Sequence, residues 1–249
     1  MMRTGNPTLN SKTFKNMYAT GANSETMTIM GTVHKTGLLL IILLIAASFT
    51  WKTTLAATNP GTLYPWIIGG SLGGFVLAMI ISFKKTTAPF LAPVYAGVEG
   101  VFLGALSALM NLMYPGIVIQ AVGLTFGTLF ALLLAYRSGL IRATENFKLG
   151  IAAATGGIFI IYMLSWVLGI FGISIPLIHE SGLVGIGFSM FVVVVAALNL
   201  VLDFDFIENG AAQGAPKFME WYGAFGLMVT LIWLYIEILR LLAKLRGRN

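Results

Sequence analysis

Carboxylates within apolar stretches are the residues of this sequence best placed to do chemistry. Of the nine acidic residues in the 249-residue chain, Glu99 lies near the middle of an apolar run. If that run crosses a membrane, an ionised carboxylate there costs about 2.5–3.5 kcal/mol. Glu99 is therefore either a proton or cation ligand that faces a cavity, or a neutral carboxyl hydrogen-bonded to a neighbouring helix.

A second group of acids follows the sixth apolar run, as Asp203, Asp205 and Glu208. On a helix, Asp203 and Asp205 point about 200° apart, whereas Asp205 and Glu208 share one side. A solvated helix end is one interpretation of this group. The other is that Asp203 has a specific partner, because a carboxylate is disfavoured by the negative end of a helix dipole.

The last apolar run contains Glu237, with Arg240 three residues later. A salt bridge between these two residues is one interpretation of the spacing. The alternative is that Glu237 meets a carboxyl from the sixth run. Two carboxyls in contact share a proton and titrate as a unit, which would make the pair a pH sensor.

Other kinds of chemistry lack the residues that they need. The chain has no cysteine and two isolated histidines, His34 and His179, so we expect no metal site and no resident cofactor. The sequence contains no HExxH or Walker motif. We therefore expect a protein that is not an enzyme.

The composition indicates that the elements carrying these acids are membrane helices. Hydrophobic residues make up 57% of the chain and charged residues only 10%, against about 25% in a soluble domain. Each of the seven apolar runs has about the 20 residues that cross a bilayer as a helix. The predicted fold is all-α and polytopic, which excludes a nucleic-acid binder. The runs are residues 37–57, 64–83, 88–110, 117–136, 149–172, 182–202 and 218–239.

The chain divides into a polar, mobile tail at residues 1–35 and a seven-helix transmembrane domain at residues 36–249. Lysine and arginine positions favour a cytoplasmic N-terminus for the first six spans. The basic C-terminus argues against this orientation, and a re-entrant run that leaves both ends inside is the alternative. Small-residue pairs such as Gly100 and Gly104 predict close helix packing within the bundle, or a dimer interface.

The sequence resembles the Bax-inhibitor (transmembrane Bax inhibitor motif) family over nearly its whole length, and most closely the longer bacterial branch of that family. The segments that carry the resemblance are Asn6-Pro7 with Phe14, residues 94–100 and residues 231–240. The resemblance implies a seven-helix fold with the C-terminal helix central. It also implies a pH-dependent calcium leak in a membrane, here a bacterial inner membrane with the N-terminus in the cytoplasm.

In that family a pair of aspartates on helices six and seven senses protons, and the matching positions are Asp203 and Glu237, with Glu in place of Asp. The predicted spans put Glu237 about 28 Å beyond the start of the last run. Contact with Asp203 therefore needs both helices to extend beyond the cytoplasmic surface, or a last span that begins later. Further candidates for lining or gating an ion path are Glu99, Asp205, Glu208 and Arg240. The alternative function is a non-conducting regulator that binds other membrane proteins, such as a quality-control protease.

Overall fold

Long apolar helices make up most of the part of the chain that the structure describes. This computed structural model describes residues 25–56, 64–172 and 182–247. Seven helices in these segments are long and apolar enough to cross a membrane, which confirms the all-α polytopic prediction. They are α1 Ile29–Ala56, α2 Tyr64–Phe83, α3 Ala88–Met113, α4 Ile117–Arg137, α5 Glu145–Ile170, α6 Leu183–Ala212 and α7 Met219–Arg246.

Several helix ends follow from local sequence. Gly116 adopts φ 81° directly before α4, a left-handed conformation that glycine reaches without a steric penalty. The Thr144 side chain caps α5 by accepting a hydrogen bond from the Phe147 amide at 3.3 Å. Near the N-terminus, α1 begins at Ile29. Residues 29–35 therefore belong to this helix and not to the predicted tail.

The described helices form two compact units. The first unit contains α1, α2 and α3 together with the end of α6 and the start of α7, residues 206–228. The second contains α4 and α5 together with α6 up to Asp205 and α7 from Val229. Among the described membrane-length helices, α7 has the largest buried share. The central position of the C-terminal helix stays a prediction.

Small residues let α1 and α3 approach closely in the first unit. A Cβ atom on Gly104 would overlap the Ala47 carbonyl oxygen and lie 2.7 Å from the Ala47 Cα. A Cβ atom on Gly100 would lie 2.8 Å from the Ala46 Cβ. The predicted close packing at this glycine pair therefore occurs inside the unit, as small-residue spacing permits in a membrane.

An apolar cluster joins α5, α6 and α7 in the second unit. Its buried members are Ile158, Val192 and Val195, and the rings of Phe188 and Trp233 pack against them. Branched aliphatic side chains at these positions fill the space between three helices, as in the interior of any close-packed protein. This cluster separates two sets of polar residues that are described below.

Candidate functional site

Glu99 lies in α3 of the first unit and is 8% exposed. Its carboxyl occupies the space that a side chain at Gly74 of α2 would fill. Tyr95, one helical turn earlier, interacts with the Glu99 carboxyl and packs its own ring on Phe225 at 5.0 Å between centroids. Among the described residues, no basic group lies within ion-pair distance of Glu99.

Asp203 and Asp205 have different surroundings, as their predicted angular separation requires. Asp203 is fully buried, and α6 continues to Ala212 beyond it, so the interpretation of a solvated helix end is wrong for this residue. Asp205 is partly buried and forms an ion pair with Lys148 of α5 at 2.7 Å. Glu208 is exposed, as a solvated helix end predicts.

Lys148 supplies the positive charge that compensates the partly buried Asp205 carboxylate. Its side chain is 5% exposed, and its ammonium group also lies 3.5 Å from Glu145. A buried ammonium needs such a partner, because the loss of its hydration is otherwise uncompensated. The pair therefore joins α5 to α6 within the second unit.

Glu237 of α7 is 1% exposed and belongs to a cluster of three side chains. The Arg240 guanidinium donates to the two carboxylate oxygens at 2.9 and 3.1 Å. The Tyr162 hydroxyl of α5 lies 3.1 Å from each of these oxygens and 2.6 Å from the Arg240 Nη1. The structure thus forms the salt bridge that the three-residue spacing suggested, and it adds Tyr162.

The register of α6 and α7 separates Asp203 from Glu237. Lys244 donates to the Gly185 carbonyl at 3.0 Å, which aligns these two positions on antiparallel helices. At about 1.5 Å per residue, Asp203 lies roughly 27 Å from Gly185, whereas Glu237 lies roughly 10 Å from Lys244. The two carboxyls are therefore roughly 16 Å apart along the helix axes. Sharing a proton requires a different register from this one, and the sensing pair stays a prediction.

Glu220 is a buried acid that the sequence analysis did not single out. It lies in the first turn of α7, is 0% exposed, and accepts hydrogen bonds from the Thr28 amide at 2.9 Å and the Thr28 hydroxyl at 2.8 Å. Lys35 donates to its other oxygen, and Gly31 leaves the room that the carboxyl occupies. An acid in the first turn of a helix is favoured by the helix dipole even without partners, so its position alone does not indicate a cluster.

The segment before α1 is also held to the loop between α6 and α7. The Met27 amide donates to the Ala215 carbonyl at 2.6 Å, and the Lys217 amide donates to the Glu25 carbonyl at 3.0 Å. Lys217 approaches Glu220 at 3.4 Å from the same loop. Glu220 thus anchors the start of α1 to the start of α7 within the first unit.

Replacing Glu220 with glutamine is expected to lower the free energy of unfolding by about 1.5–3 kcal/mol, because two hydrogen bonds and the ion pairs with Lys35 and Lys217 depend on its charge. Unfolding in mixed detergent micelles measures the effect. The matched control is Glu25→Gln, since Glu25 is 81% exposed and contacts Lys217 at 3.7 Å. Equal stabilities of the two variants would contradict the anchoring role.

Metal-binding geometry is not found in the described segments, where no group of three or more His, Cys, Asp or Glu side chains could hold an ion. The acids are instead dispersed along the helices and packed against individual partners.

Comparison with known proteins identifies one family. The family model described as Bax inhibitor 1 like matches residues 6–247. No curated protein and no solved structure gives a match. The match spans nearly all of the chain, including every acid described above.

Proposed function

Because this chain belongs to the Bax inhibitor 1 like family, we propose that it is a pH-sensitive leak channel for calcium and similar cations, gated by protonation of buried carboxyls of α6 and α7. The observation that carries the proposal is that Glu99, Asp203 and Glu237 are all buried in helices of membrane length. Ionisable groups at such depth are costly, and they mark ion pathways and proton relays.

Glu99 is the group that we assign to the passing cation. Calcium prefers oxygen ligands, and a carboxylate supplies both an oxygen and a negative charge. Asp205, Glu220 and Glu237 each have a basic partner, whereas none lies within ion-pair distance of Glu99 in the described residues. Its charge is therefore less offset by basic side chains than the charges of those three acids. The calcium ion is cargo in this proposal, and no resident cofactor is needed.

Protons act in this proposal by changing how α7 is held. Protonation of Glu237 removes the negative charge that Arg240 binds, and the hydrogen bonds to Tyr162 and Trp233 then join neutral groups. A hydrogen bond to a charged group is roughly twice as strong as one between neutral groups. The loss of the ion pair therefore favours another packing of α7, and such two-state packing is a common basis of gating. Asp203 is the second proton-binding group on the adjacent helix.

The proposal places the protein in a bacterial inner membrane with its N-terminus in the cytoplasm. Lysine and arginine flank the first spans on the side that the N-terminus occupies, which is the usual orientation of basic residues in inner-membrane proteins. The bilayer is then the solvent of the many large apolar side chains that are exposed on α2 and α5. The orientation determines which side of the membrane the protons reach first.

Calcium flux into liposomes that contain the purified protein tests this proposal, with the external solution stepped from about pH 5 to about pH 8. We expect a flux that depends on pH. Glu99→Gln is expected to lower the flux about tenfold at every pH, because a cation loses its charged ligand. Asp203→Asn and Glu237→Gln are expected to weaken the dependence on pH.

The matched control for these variants is Glu145→Gln, because the Glu145 side chain is 61% exposed at the start of α5. This variant should conduct as the unmodified protein does. If liposomes with protein take up no more calcium than empty ones at any pH, the channel is excluded. The leading function would then be a non-conducting regulator that binds other membrane proteins, such as a quality-control protease.

A further inference from the structure

Three polar residues of α5 lie on one face of the helix at intervals of seven residues: Lys148, Thr155 and Tyr162. Positions seven apart differ by only about 20° around a helix, so the three side chains form a row along the second unit. Such a row is unexpected in a helix of membrane length unless each polar group has a partner. The row extends over roughly 21 Å at 1.5 Å per residue.

Each residue of this row contacts a polar side chain of α6 or α7. Lys148 binds Asp205, and Tyr162 binds Glu237, as described above. Between them, Asn199 of α6 donates to the Thr155 hydroxyl at 2.9 Å. We call Thr155 and Asn199 the Asn199 cluster. We call Tyr162, Glu237 and Arg240 the Glu237 cluster.

An apolar layer separates these two clusters. Ile158 lies between Thr155 and Tyr162 on α5, and it packs with Val192 and Val195 of α6. The three side chains are 0–3% exposed. Along α5 the layer is therefore an apolar stretch between the Asn199 cluster and the Glu237 cluster.

A buried polar atom without a partner lies on each side of the layer. Asn199 Oδ1 has no hydrogen-bond partner among the described residues. Asn199 lies one helical turn after Val195 on α6. Ser189 Oγ also has none, and it lies one turn before Val192, beside the Phe188 ring that packs on Tyr162. Both residues are at most 2% exposed. Buried polar atoms of this kind are normally satisfied by water or an ion, so both sides of the layer are suited to hold water.

We propose that Ile158, Val192 and Val195 form a hydrophobic gate between two hydrated polar pockets of the second unit. A constriction lined by aliphatic side chains excludes water and ions even where polar groups lie on both sides, and it conducts once it is wetted. The inference rests on the proposed channel function for its physiological meaning. The separation of two water-filled pockets by a dry layer can be tested without it.

Silver-ion accessibility of single cysteines tests the gate, and the absence of native cysteine removes any background. Silver ions are small and react with thiolates, which form only where water reaches the sulfur. The variants are Ser189→Cys, Thr155→Cys and Val192→Cys, each treated in inside-out and right-side-out membrane vesicles. Protection from later labelling with N-ethylmaleimide in denaturing detergent measures the reaction.

The gate predicts that silver reaches Ser189→Cys from one side only, Thr155→Cys from the opposite side only, and Val192→Cys from neither. Equal reactivity of Val192→Cys from both sides would overturn the proposal, because the layer would then be wet. So would the absence of reaction at both Ser189→Cys and Thr155→Cys, because the pockets would then hold no water.

A variant that wets the gate provides the second measurement. Val195→Thr adds a hydroxyl with almost no change of shape, and it should make both pocket cysteines reactive from both sides and raise calcium flux about tenfold. The matched control is Val194→Thr, because Val194 is 50% exposed on the outer face of the same helix. If Val195→Thr matches this control in both measurements, the gate is excluded. A protein that shows the one-sided accessibility but conducts no calcium, even with Val195→Thr, would support the gate and overturn the channel.

Discussion

Replacing both Gly100 and Gly104 with alanine is expected to push α1 and α3 apart and to lower the free energy of unfolding by several kcal/mol. Each added methyl group meets the backbone of α1, at Leu43 and Ala47, rather than the end of a flexible side chain. Overpacking of a tight interior costs about 1–3 kcal/mol per site, and backbone obstacles place these two sites toward the upper end. Unfolding in mixed detergent micelles measures the loss.

The control for this prediction lies on the same helix. A Cβ atom on Gly97 would have nothing within 4 Å, so Gly97→Ala adds helix propensity without a clash. This variant should be as stable as the unmodified protein or slightly more stable. If the double variant were as stable as Gly97→Ala, close approach of α1 and α3 at these glycines would not hold the first unit together.

The seven spans could be predicted from sequence because lipid imposes one requirement on all of them. Every helix that crosses the hydrocarbon needs about 20 apolar residues, so continuous apolar runs reveal the spans directly. Because side chains that face lipid are as apolar as buried ones, the sequence does not show which face of each helix is buried. Leu72 and Phe75 of α2 are each 61% exposed, and nothing in their type distinguishes them from buried apolar residues. In a soluble protein the polar face would have provided that information.

The ends of α6 and α7 could not be predicted, because charged residues there are paired rather than solvated. Hydropathy ends the sixth run at Leu202 and the last at Leu239, yet the helices continue to Ala212 and Arg246. Asp205 binds Lys148, and Lys244 donates to a backbone carbonyl. A charge with a partner tolerates burial that a lone charge does not, and such partners lie far away in sequence.

In the candidate site, contacts between residues close in sequence could be predicted, whereas contacts between residues far apart in sequence could not. The pair of Glu237 and Arg240 follows from a three-residue helix spacing and was one of the two interpretations of the sequence. Tyr162, which completes the cluster, lies 75 residues away from Glu237. Glu220 contacts Thr28 across 192 residues, and no periodicity connects them. Only tertiary packing brings these groups together.

Replacing Arg240 with glutamine is expected to lower the free energy of unfolding by about 3 kcal/mol. The change leaves the Glu237 carboxylate buried with Tyr162 as its remaining hydrogen-bond partner in the cluster, and breaking a buried ion pair costs about 3–5 kcal/mol. The low end of that range applies because the Arg240 side chain is 39% exposed. Adding Glu237→Gln to this variant should restore most of the loss, since it removes the uncompensated charge. Unfolding of the two single variants and the double variant measures a coupling energy, expected near 2 kcal/mol.

The same kind of cycle with Asp203→Asn and Glu237→Gln distinguishes the two partners that the sequence offered for Glu237. Residues more than about 10 Å apart with no shared partner have additive effects within roughly 0.5 kcal/mol. The register set by Lys244 and Gly185 therefore predicts additivity between Asp203 and Glu237 at neutral pH. A coupling energy above about 1 kcal/mol would place the two carboxyls in contact and contradict that register. Additivity at neutral pH with coupling that appears only on acidification would mean that protonation brings the two carboxyls together, which is the movement that proton sharing by this pair requires.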